Sequence, residues 1–256
     1  VYKRQNIPEF NYITDKRVFS EWQMFNNNTD WVKEVKQVGL RQNHFVSITG
    51  GGEKATFRIS GGYDHETGSI IEQKLDRFTT RTMLDYYVSD RIKIMSDFSL
   101  TYTDNQRNSD DLLAIAYKKM PNLAIFEEDE QGNSLGRYYE MLKADDALKD
   151  QRGLVNPIAS AKYAKNSYTT YAIDPKLELQ YDFLGIDDTK HRLTYNGEVI
   201  MNVFNAYEDT YYPRELSTDN WNAGGVSKAT SYSSKSLAFT TTHTSVSYTH
   251  LRAHET

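Results

Sequence analysis

The stretch YAIDPKLELQYDF, residues 171–183, decides the fold class of this chain. Every second position is apolar or aromatic, and the positions between them carry Asp174, Lys176, Glu178, Gln180 and Asp182. Successive side chains of a β-strand point to opposite faces of a sheet, so a period of two predicts a strand. The stretch therefore predicts a long strand with one apolar face and one charged face.

The same alternation recurs along the chain. Residues 55–64, 92–102 and 192–203 show it clearly, and residues 43–49, 75–86 and 236–242 show it more weakly. Globular strands usually run about 5–6 residues, whereas a tilted membrane strand needs about 9–11. Full charges on one face suit a water-filled lumen better than a dry core. These patterns predict an all-β protein of about seven strands, an antiparallel transmembrane β-barrel fragment that forms an open curved sheet in isolation.

The connections between the predicted strands differ in length. Residues 50–54, 89–90 and 184–190 read as short turns, whereas 65–74, 104–167 and 206–235 read as longer connections. Short turns at one end and long loops at the other are typical of outer-membrane barrels, whose long loops lie outside the cell. On this interpretation the strand that starts near Asn43 descends, and residues 6–42 belong to a preceding outer loop.

Local signals add detail to this prediction. Pro175 interrupts a predicted strand on its apolar side, where we expect a bulge because proline donates no ladder hydrogen bond. The long loop is expected to hold one helix over 111–119, capped by Ser109 or Asp110 and ending near Pro121, and a second over 135–148. Aromatic residues near strand ends are candidates for interfacial girdles. These are Tyr63, Tyr86, Tyr102, Tyr171, Phe183 and Phe204.

Composition agrees with a sheet that is wet on one side. Apolar residues make up 38% of the 256 residues, while aromatic residues reach 13% and include 19 tyrosines. A tyrosine ring can lie in an apolar layer while its hydroxyl meets water. The net charge of -5 argues against nucleic-acid binding, which needs a basic surface. Cysteine is absent from the sequence, which excludes disulfides and thiolate metal sites.

The two ends of the chain look foreign to the rest. Residues 246–256, VSYTHLRAHET, resemble the translation of a transposase sequencing adaptor, and residues 1–5, VYKRQ, resemble the translated transposon end. Such segments are left out of fold reasoning. We therefore expect non-native tails at 1–5 and 246–256 around a partial receptor barrel at 6–245.

Short motifs in a fixed order carry a family resemblance. NTDW (28–31), QNH (42–44), SITGGGEK (47–54) and FRISGGY (57–63) are followed by ETG (66–68) and DRFTTR (76–81). KMP (119–121) and NPIA (156–159) continue the series. Together they make the chain similar to the SusC/RagA family of TonB-linked outer-membrane transporters, over most of residues 28–205.

The resemblance implies a location and partners that the spacing alone does not give. It implies a large, plugged multi-pass barrel in the outer membrane of a Gram-negative cell, surrounded by outer-membrane lipid. Uptake would be driven by the TonB complex through an N-terminal region absent from this chain, with a SusD-like lipoprotein as lid. Oligosaccharides are the substrate implied first; uptake of peptides or of a chelated nutrient is the alternative. The chain would be no enzyme and would need no cofactor.

The sequence offers no catalytic or metal-binding constellation. His44, His65, His191 and His243 lack ligand spacing, and the acidic run at 127–130 is better explained as a solvated loop than as a calcium site. Sugar ligands favour aromatic and polar contacts, so tyrosines and tryptophan of the outer loops are the candidate ligand-binding residues. These are Tyr117, Tyr138, Tyr139, Tyr211, Tyr212 and Trp221.

Two other classes of protein remain open at this point. A soluble secreted β-protein that binds carbohydrate would need polar residues on its outer strand faces, whereas the stripes here are continuous and apolar. A passive porin would lack an upstream plug. Expression without detergent distinguishes the soluble alternative from a barrel fragment. An isolated seven-stranded sheet has two unpaired edge strands and an exposed apolar face, so the fragment is expected to aggregate, whereas a soluble domain should fold.

Overall fold

The computed structural model describes residues 22–140, 149–185, 191–216 and 227–249. Nine strands and four short α-helices occur in these ranges. The strands are β1 (Arg41–Gly51), β2 (Ala55–Thr67), β3 (Lys74–Ser89), β4 (Ile92–Arg107), β5 (Phe126–Glu128), β6 (Ser134–Tyr138), β7 (Lys165–Leu184), β8 (His191–Tyr212) and β9 (Lys228–Thr249). The helices are α1 (Trp31–Val35), α2 (Leu112–Lys118), α3 (Lys149–Arg152) and α4 (Pro157–Tyr163).

Seven of the strands form one antiparallel sheet in the order β1-β2-β3-β4-β7-β8-β9. Consecutive strands of this sheet pair with each other, and the long β4–β7 connection carries the β5–β6 hairpin and three of the α-helices. The sheet is open and does not close into a barrel. The predicted antiparallel, open seven-stranded sheet is therefore confirmed.

The strands are longer than the alternation predicted. β8 reaches Tyr212 and β9 begins at Lys228, so the predicted outer loop over 206–235 narrows to 213–227. The connection predicted over 104–167 narrows in the same way, because β4 ends at Arg107 and β7 begins at Lys165. All the longer connections still leave from one end of the sheet, which we call the loop end.

Register places the apolar positions of all strands on one side, the apolar face. Tyr63 pairs with Phe78, Phe78 with Tyr102, and Tyr102 with Tyr171, so an aromatic row crosses four adjacent strands near the loop end. The Tyr102 and Tyr171 rings lie 4.9 Å apart. Contacts between aromatic side chains on neighbouring strands stabilise this end of the sheet.

A second aromatic group lies on the apolar face near the short turns. Tyr181 pairs with Tyr195, and the Tyr181 ring lies 4.5 Å from that of Phe183. Ten residues separate Tyr171 from Tyr181 along β7. That spacing is about 33 Å of strand, or about 25 Å of height at a tilt of about 40°. Phe204, expected in a girdle, lies instead on the opposite face, because Val203 beside it pairs with Ile173 on the apolar side.

Pro175 does not produce the predicted bulge. β7 pairs Ile173 with Val203 and Lys176 with Ile200, so the β7–β8 register is the same before and after the proline. The β4–β7 pairing also continues without a shift past the proline, which pairs with Phe98. In the described β7–β8 ladder Pro175 has no partner. The missing N–H is thus accommodated on the β8 side without a change of register.

A compact loop core lies at the loop end. It joins the segment before β1 to the long β4–β7 connection, through Phe25, Trp31 and Val35 on one side and Leu112 and Leu123 on the other. Trp31 Nε1 donates to the carbonyl oxygen of Met120 at 2.9 Å. The segment before β1 therefore belongs with the outer loops, as the topology predicted.

The predicted helices are partly confirmed. α2 covers Leu112–Lys118, close to the expected 111–119, but its cap is Asp111, whose carboxylate accepts from the backbone N–H of Ala114 at 3.1 Å. The second helix, expected over 135–148, is wrong where it can be seen, because Ser134–Tyr138 is strand β6. The rest of that prediction, 141–148, falls outside the described residues. In the described part of the chain, no helix is both long and apolar enough to cross a membrane.

Candidate functional site

The side of the sheet opposite the apolar face, the polar face, carries a ladder of charged groups. Lys176 forms ion pairs with Glu198 and Glu178, and Arg81 forms a two-point ion pair with Asp97. Most of these groups keep some contact with solvent, so each pair contributes little to stability on its own. Their common effect is a hydrated, charge-balanced wall.

Two open grooves lie on the polar face. The first has a volume of about 400 Å³ and is lined by Arg58, Ser60, Arg81, Ser99 and Thr101, among others. The second, also about 400 Å³, lies nearer the short turns and is lined by Gln180, Arg192, Thr194, Asn196, Val246 and Tyr248. Hydroxyl, amide and guanidinium groups offer hydrogen bonds to a polar solute. Both grooves suit a wall that faces water.

The loop end of the polar face combines rings and charges. The Arg107 guanidinium carbon lies 4.4 Å from the centre of the Tyr168 ring. Tyr168 pairs with Glu208, and Glu208 with Tyr232, whose side chain is 62% exposed. Register therefore brings two tyrosines, an arginine and a carboxylate together at this edge. We call Arg107, Tyr168, Glu208 and Tyr232 the mouth cluster.

The ligand residues predicted from sequence are scattered by the structure. Tyr117, on α2, is 68% exposed and available to a ligand. Tyr211 and Tyr212 belong to strand β8 and not to a loop. Tyr211 is exposed and lies on the apolar side, in step with Tyr195, so it faces away from the mouth cluster. Trp221 lies outside the described residues.

The remaining predicted residues belong to the loop core. Tyr139 is buried, and Tyr138 stacks on Phe126 at 4.9 Å between ring centres. Tyr212 packs beside Leu216, and burial together with the nearby Asp110 carboxylate raises the pKa of its hydroxyl. These tyrosines pack the outer loops together. The sequence analysis placed them correctly at the loop end but did not distinguish packing from ligand contact. Alternation continued to the strand ends would have indicated Tyr168 and Tyr232 instead.

A buried polar cluster lies inside the loop core. Asn156 is fully buried; its side-chain amide donates to the carbonyl oxygens of Ile125 at 2.8 Å and Tyr139 at 3.2 Å. Its backbone N–H donates to both carboxylate oxygens of Glu140, at 2.8 and 3.0 Å. Lys119 Nζ donates to the carbonyl oxygen of Leu154 at 2.9 Å. Burial raises the pKa of Glu140 to about 7 and lowers the pKa of Lys119 to about 8.

The raised pKa of Glu140 makes the loop core sensitive to pH. The folded chain holds this proton up to about pH 7, while the ordinary pKa is 4.5. The stability gained is complete below pH 4.5 and is lost as the pH rises to about 7. We expect amide-exchange protection of residues 154–163, corrected for intrinsic rates, to be greater at pH 5 than at pH 7.5 by about 1–3 kcal/mol.

A matched variant isolates this effect. Glu140→Gln keeps the shape of the side chain and removes this titration, so its protection should not fall between pH 5 and pH 7.5; the lowered pKa of Lys119 acts in the opposite direction. Wild-type protection that stays constant or rises over this interval would contradict the assignment.

The acidic run and the histidines, which the sequence analysis did not assign to a metal site, can now be located. In the acidic run, Asp129 accepts from the backbone N–H of Asn133 at 2.8 Å and from its side-chain amide at 3.0 Å, which lowers the pKa of Asp129. Across the described ranges, no group of three or more metal-ligating carboxylate, histidine or cysteine side chains converges. His65 lies apart, on the apolar face, where its ring Nδ1 is 2.7 Å from Asp76 Oδ1. Tyr63 also donates to that carboxylate at 2.7 Å.

The comparisons with known proteins agree with this fold. No family model matches the chain. The TonB-dependent receptor P3 of Formosa agariphila is 25% identical over 169 residues, which cover 61% of this chain and 16% of that receptor. The TonB-dependent receptor SusC of Bacteroides thetaiotaomicron is 21% identical over 182 residues, which cover 67% of this chain and 18% of SusC. The chain thus spans less than a fifth of either relative.

Solved structures give the same architecture. The RagAB peptide importer, in its closed-closed and open-open states, matches with a TM-score of 0.54 and 18% identity. The match covers 91% of this chain and 26% of that one. The fold is therefore that of a section of barrel wall in the class of TonB-dependent receptors. Within that class, the chain is similar in sequence and fold to a section of the SusC/RagA-type TonB-dependent transporters. These relatives are named as receptors and transporters, in agreement with the expectation that the chain is no enzyme.

Proposed function

We propose that the chain forms part of the wall of an outer-membrane active transporter that imports oligosaccharides. The observation that carries this proposal is the division of the sheet into an apolar face and a charge-balanced polar face, in a chain of SusC/RagA type. The polar face would line the passage for the substrate. The apolar face would contact outer-membrane lipid.

The height of the apolar band supports the membrane placement. The aromatic groups around Tyr171 and Tyr181 are separated by about 25 Å at a barrel-like tilt, the height of the apolar band of outer-membrane barrels. Exposed apolar side chains lie between them, among them Phe98 and Leu177. A soluble secreted β-protein would leave this band in water, which argues against that alternative.

Partners are proposed from the relatives and not from contacts. TonB would supply the energy, and a SusD-like lipoprotein would cover the loop end. Tyr117 and the mouth cluster are the proposed substrate contacts, since an exposed ring can stack on a sugar face. We also propose that residues 1–5 and 246–256 are not native; residues up to Thr249 of the second segment continue strand β9.

Peptide uptake is the second candidate. The solved structures that match this fold are those of a peptide importer, whereas neither curated relative is described by its substrate. Stacking and hydrogen bonding at the mouth cluster would serve either kind of substrate. Uptake of a chelated nutrient by the same machinery is a further alternative.

Uptake by the complete transporter that contains this segment separates these candidates. Cells that carry it are supplied with labelled oligosaccharides or labelled peptides, with and without an intact TonB gene. The proposal predicts TonB-dependent accumulation of the oligosaccharides. Accumulation of peptides alone would establish the second candidate, and accumulation that does not depend on TonB would contradict active transport.

A further inference from the structure

We propose that Arg107 and the neighbouring rim pocket bind a carboxylate group of the imported substrate. This inference rests on the proposed transport function and specifies the chemistry of the substrate. The rim pocket lies where β2, β3 and β4 reach the loop end, and it has a volume of about 310 Å³. Its lining includes Glu66, Gln73, Lys74, Asn105, Gln106 and Arg107.

The position of Arg107 leaves its hydrogen-bonding edge available. The guanidinium stacks on the Tyr168 ring, with 4.4 Å between its central carbon and the ring centre. Stacking engages the flat side of the guanidinium, while its N–H groups project from the edge. Within the described ranges, no carboxylate forms an ion pair with Arg107. A guanidinium held in this way is ready to bind a carboxylate through two parallel hydrogen bonds.

The carboxylates nearest the pocket already have partners. Glu66 forms an ion pair with Arg41 at 2.8 Å, and Asp76 accepts from Tyr63 at 2.7 Å. Glu208 lies one strand beyond Tyr168 and forms no ion pair with Arg107 among the described contacts. Arg107 is therefore a cation of the pocket that has no carboxylate partner in the described part of the chain. Lys74 lies on the apolar side, in step with Phe78, where it interacts with Asp76.

The remaining lining suits a small anionic group. Asn105, Gln106 and Gln73 add amide groups to the lining beside Arg107. A pocket of about 310 Å³ is at the small end of ligand sites, so it accommodates one terminal unit of a longer chain and not a whole oligomer. Two substrates present this chemistry: a peptide with a free C-terminus, and an oligosaccharide that ends in a uronic acid. Both would place a carboxylate against Arg107.

Matched ligand pairs test the proposal in the complete purified transporter. Binding is measured for a peptide acid against its C-terminal amide, and for an oligouronide against its methyl ester. We expect one acid to bind on the order of tenfold or more tightly than its neutral counterpart, as removal of charge-assisted hydrogen bonds predicts. The pair that shows the difference identifies the source of the carboxylate. This comparison uses the unaltered protein and needs no variant to fold.

Variants then assign the effect to the site. Arg107→Ala should weaken binding of the acid on the order of tenfold and leave the neutral ligand unchanged, while Arg107→Lys should retain part of the preference. Lys54→Ala, which removes a cation at the opposite end of the sheet, should change neither. Equal binding of acid and neutral ligand in both pairs, or an Arg107→Ala effect equal for both members, would overturn the proposal. If uptake does not depend on TonB, the proposed transport function fails. If uptake depends on TonB but does not distinguish the acid from its neutral counterpart, only the proposed carboxylate site fails.

Discussion

Met201→Arg is expected to prevent stable assembly of the complete transporter in the outer membrane. Met201 lies on the apolar face, two residues from Val203 and paired with Phe239 on β9. An arginine facing lipid near the bilayer midplane costs about 2–4 kcal/mol in a membrane barrel. Such a cost falls on folding and insertion together, because water cannot reach the new charge.

The neighbouring residue provides the control at the same depth. Asn202 lies on the polar face, where its side-chain amide donates to Asp174 at 2.7 Å. Asn202→Arg places the same new charge beside a carboxylate on the proposed water-facing side, so we expect near wild-type levels. Heat-modifiable mobility on gels and membrane fractionation measure the two variants side by side. Equal loss for both variants, or none for either, would contradict the assignment of the faces.

Asn156→Ala is expected to open the loop core. The substitution removes the cap of α4, whose first N–H groups, from Ile158 and Ala159, donate to Asn156 Oδ1 at 3.1 and 3.3 Å. It also leaves the carbonyl oxygens of Ile125 and Tyr139 without this donor. A lost cap costs about 1 kcal/mol, and each of the two lost hydrogen bonds costs about 0.5–1.5 kcal/mol, since Ile125 O keeps the backbone N–H of Tyr139 as a donor. We expect a combined loss of about 2–4 kcal/mol in local stability.

Limited proteolysis and amide exchange of residues 110–140 and 149–164 measure this loss. Asp111→Ala is the matched control: it removes the cap of α2, whose carboxylate has one described bond to Ala114, and should cost about 1 kcal/mol. The strands of the sheet should keep their protection in both variants. A loss for Asn156→Ala no greater than that for Asp111→Ala would show that the buried contacts of Asn156 contribute little.

The sheet could be predicted from sequence because its physical cause is local. A strand between lipid and water must alternate apolar and polar residues. Residues 171–183 and 192–203 therefore predicted both the strands and their faces. Where β8 and β9 extend past the aromatic row, polar and charged residues occur on both faces, with tyrosines among them on β8. Residues 206–212 and 228–235 therefore lack the period of two, and the prediction treated them as loop.

The site was less accessible from sequence because its contacts are distant along the chain. Arg107 and Tyr168 are brought together only by the β4–β7 register, and Asn156 meets Ile125 across 31 residues. The predicted helix over 135–148 failed for a related reason. Ser134 and Tyr138 pair with Glu128 and Phe126 of β5, and that hairpin pairing overrides the local helical preference of the segment.

Site-directed spin labelling along β7 tests the central claim most directly. This chain has no cysteine, so in a complete reconstituted transporter freed of any cysteine elsewhere, single cysteines at positions 172–181 can be labelled one at a time. The account predicts that labels at odd positions collide with lipid-soluble oxygen, while labels at even positions collide with a water-soluble nickel chelate. Uniform access to the chelate at odd and even positions would contradict a membrane-embedded barrel wall.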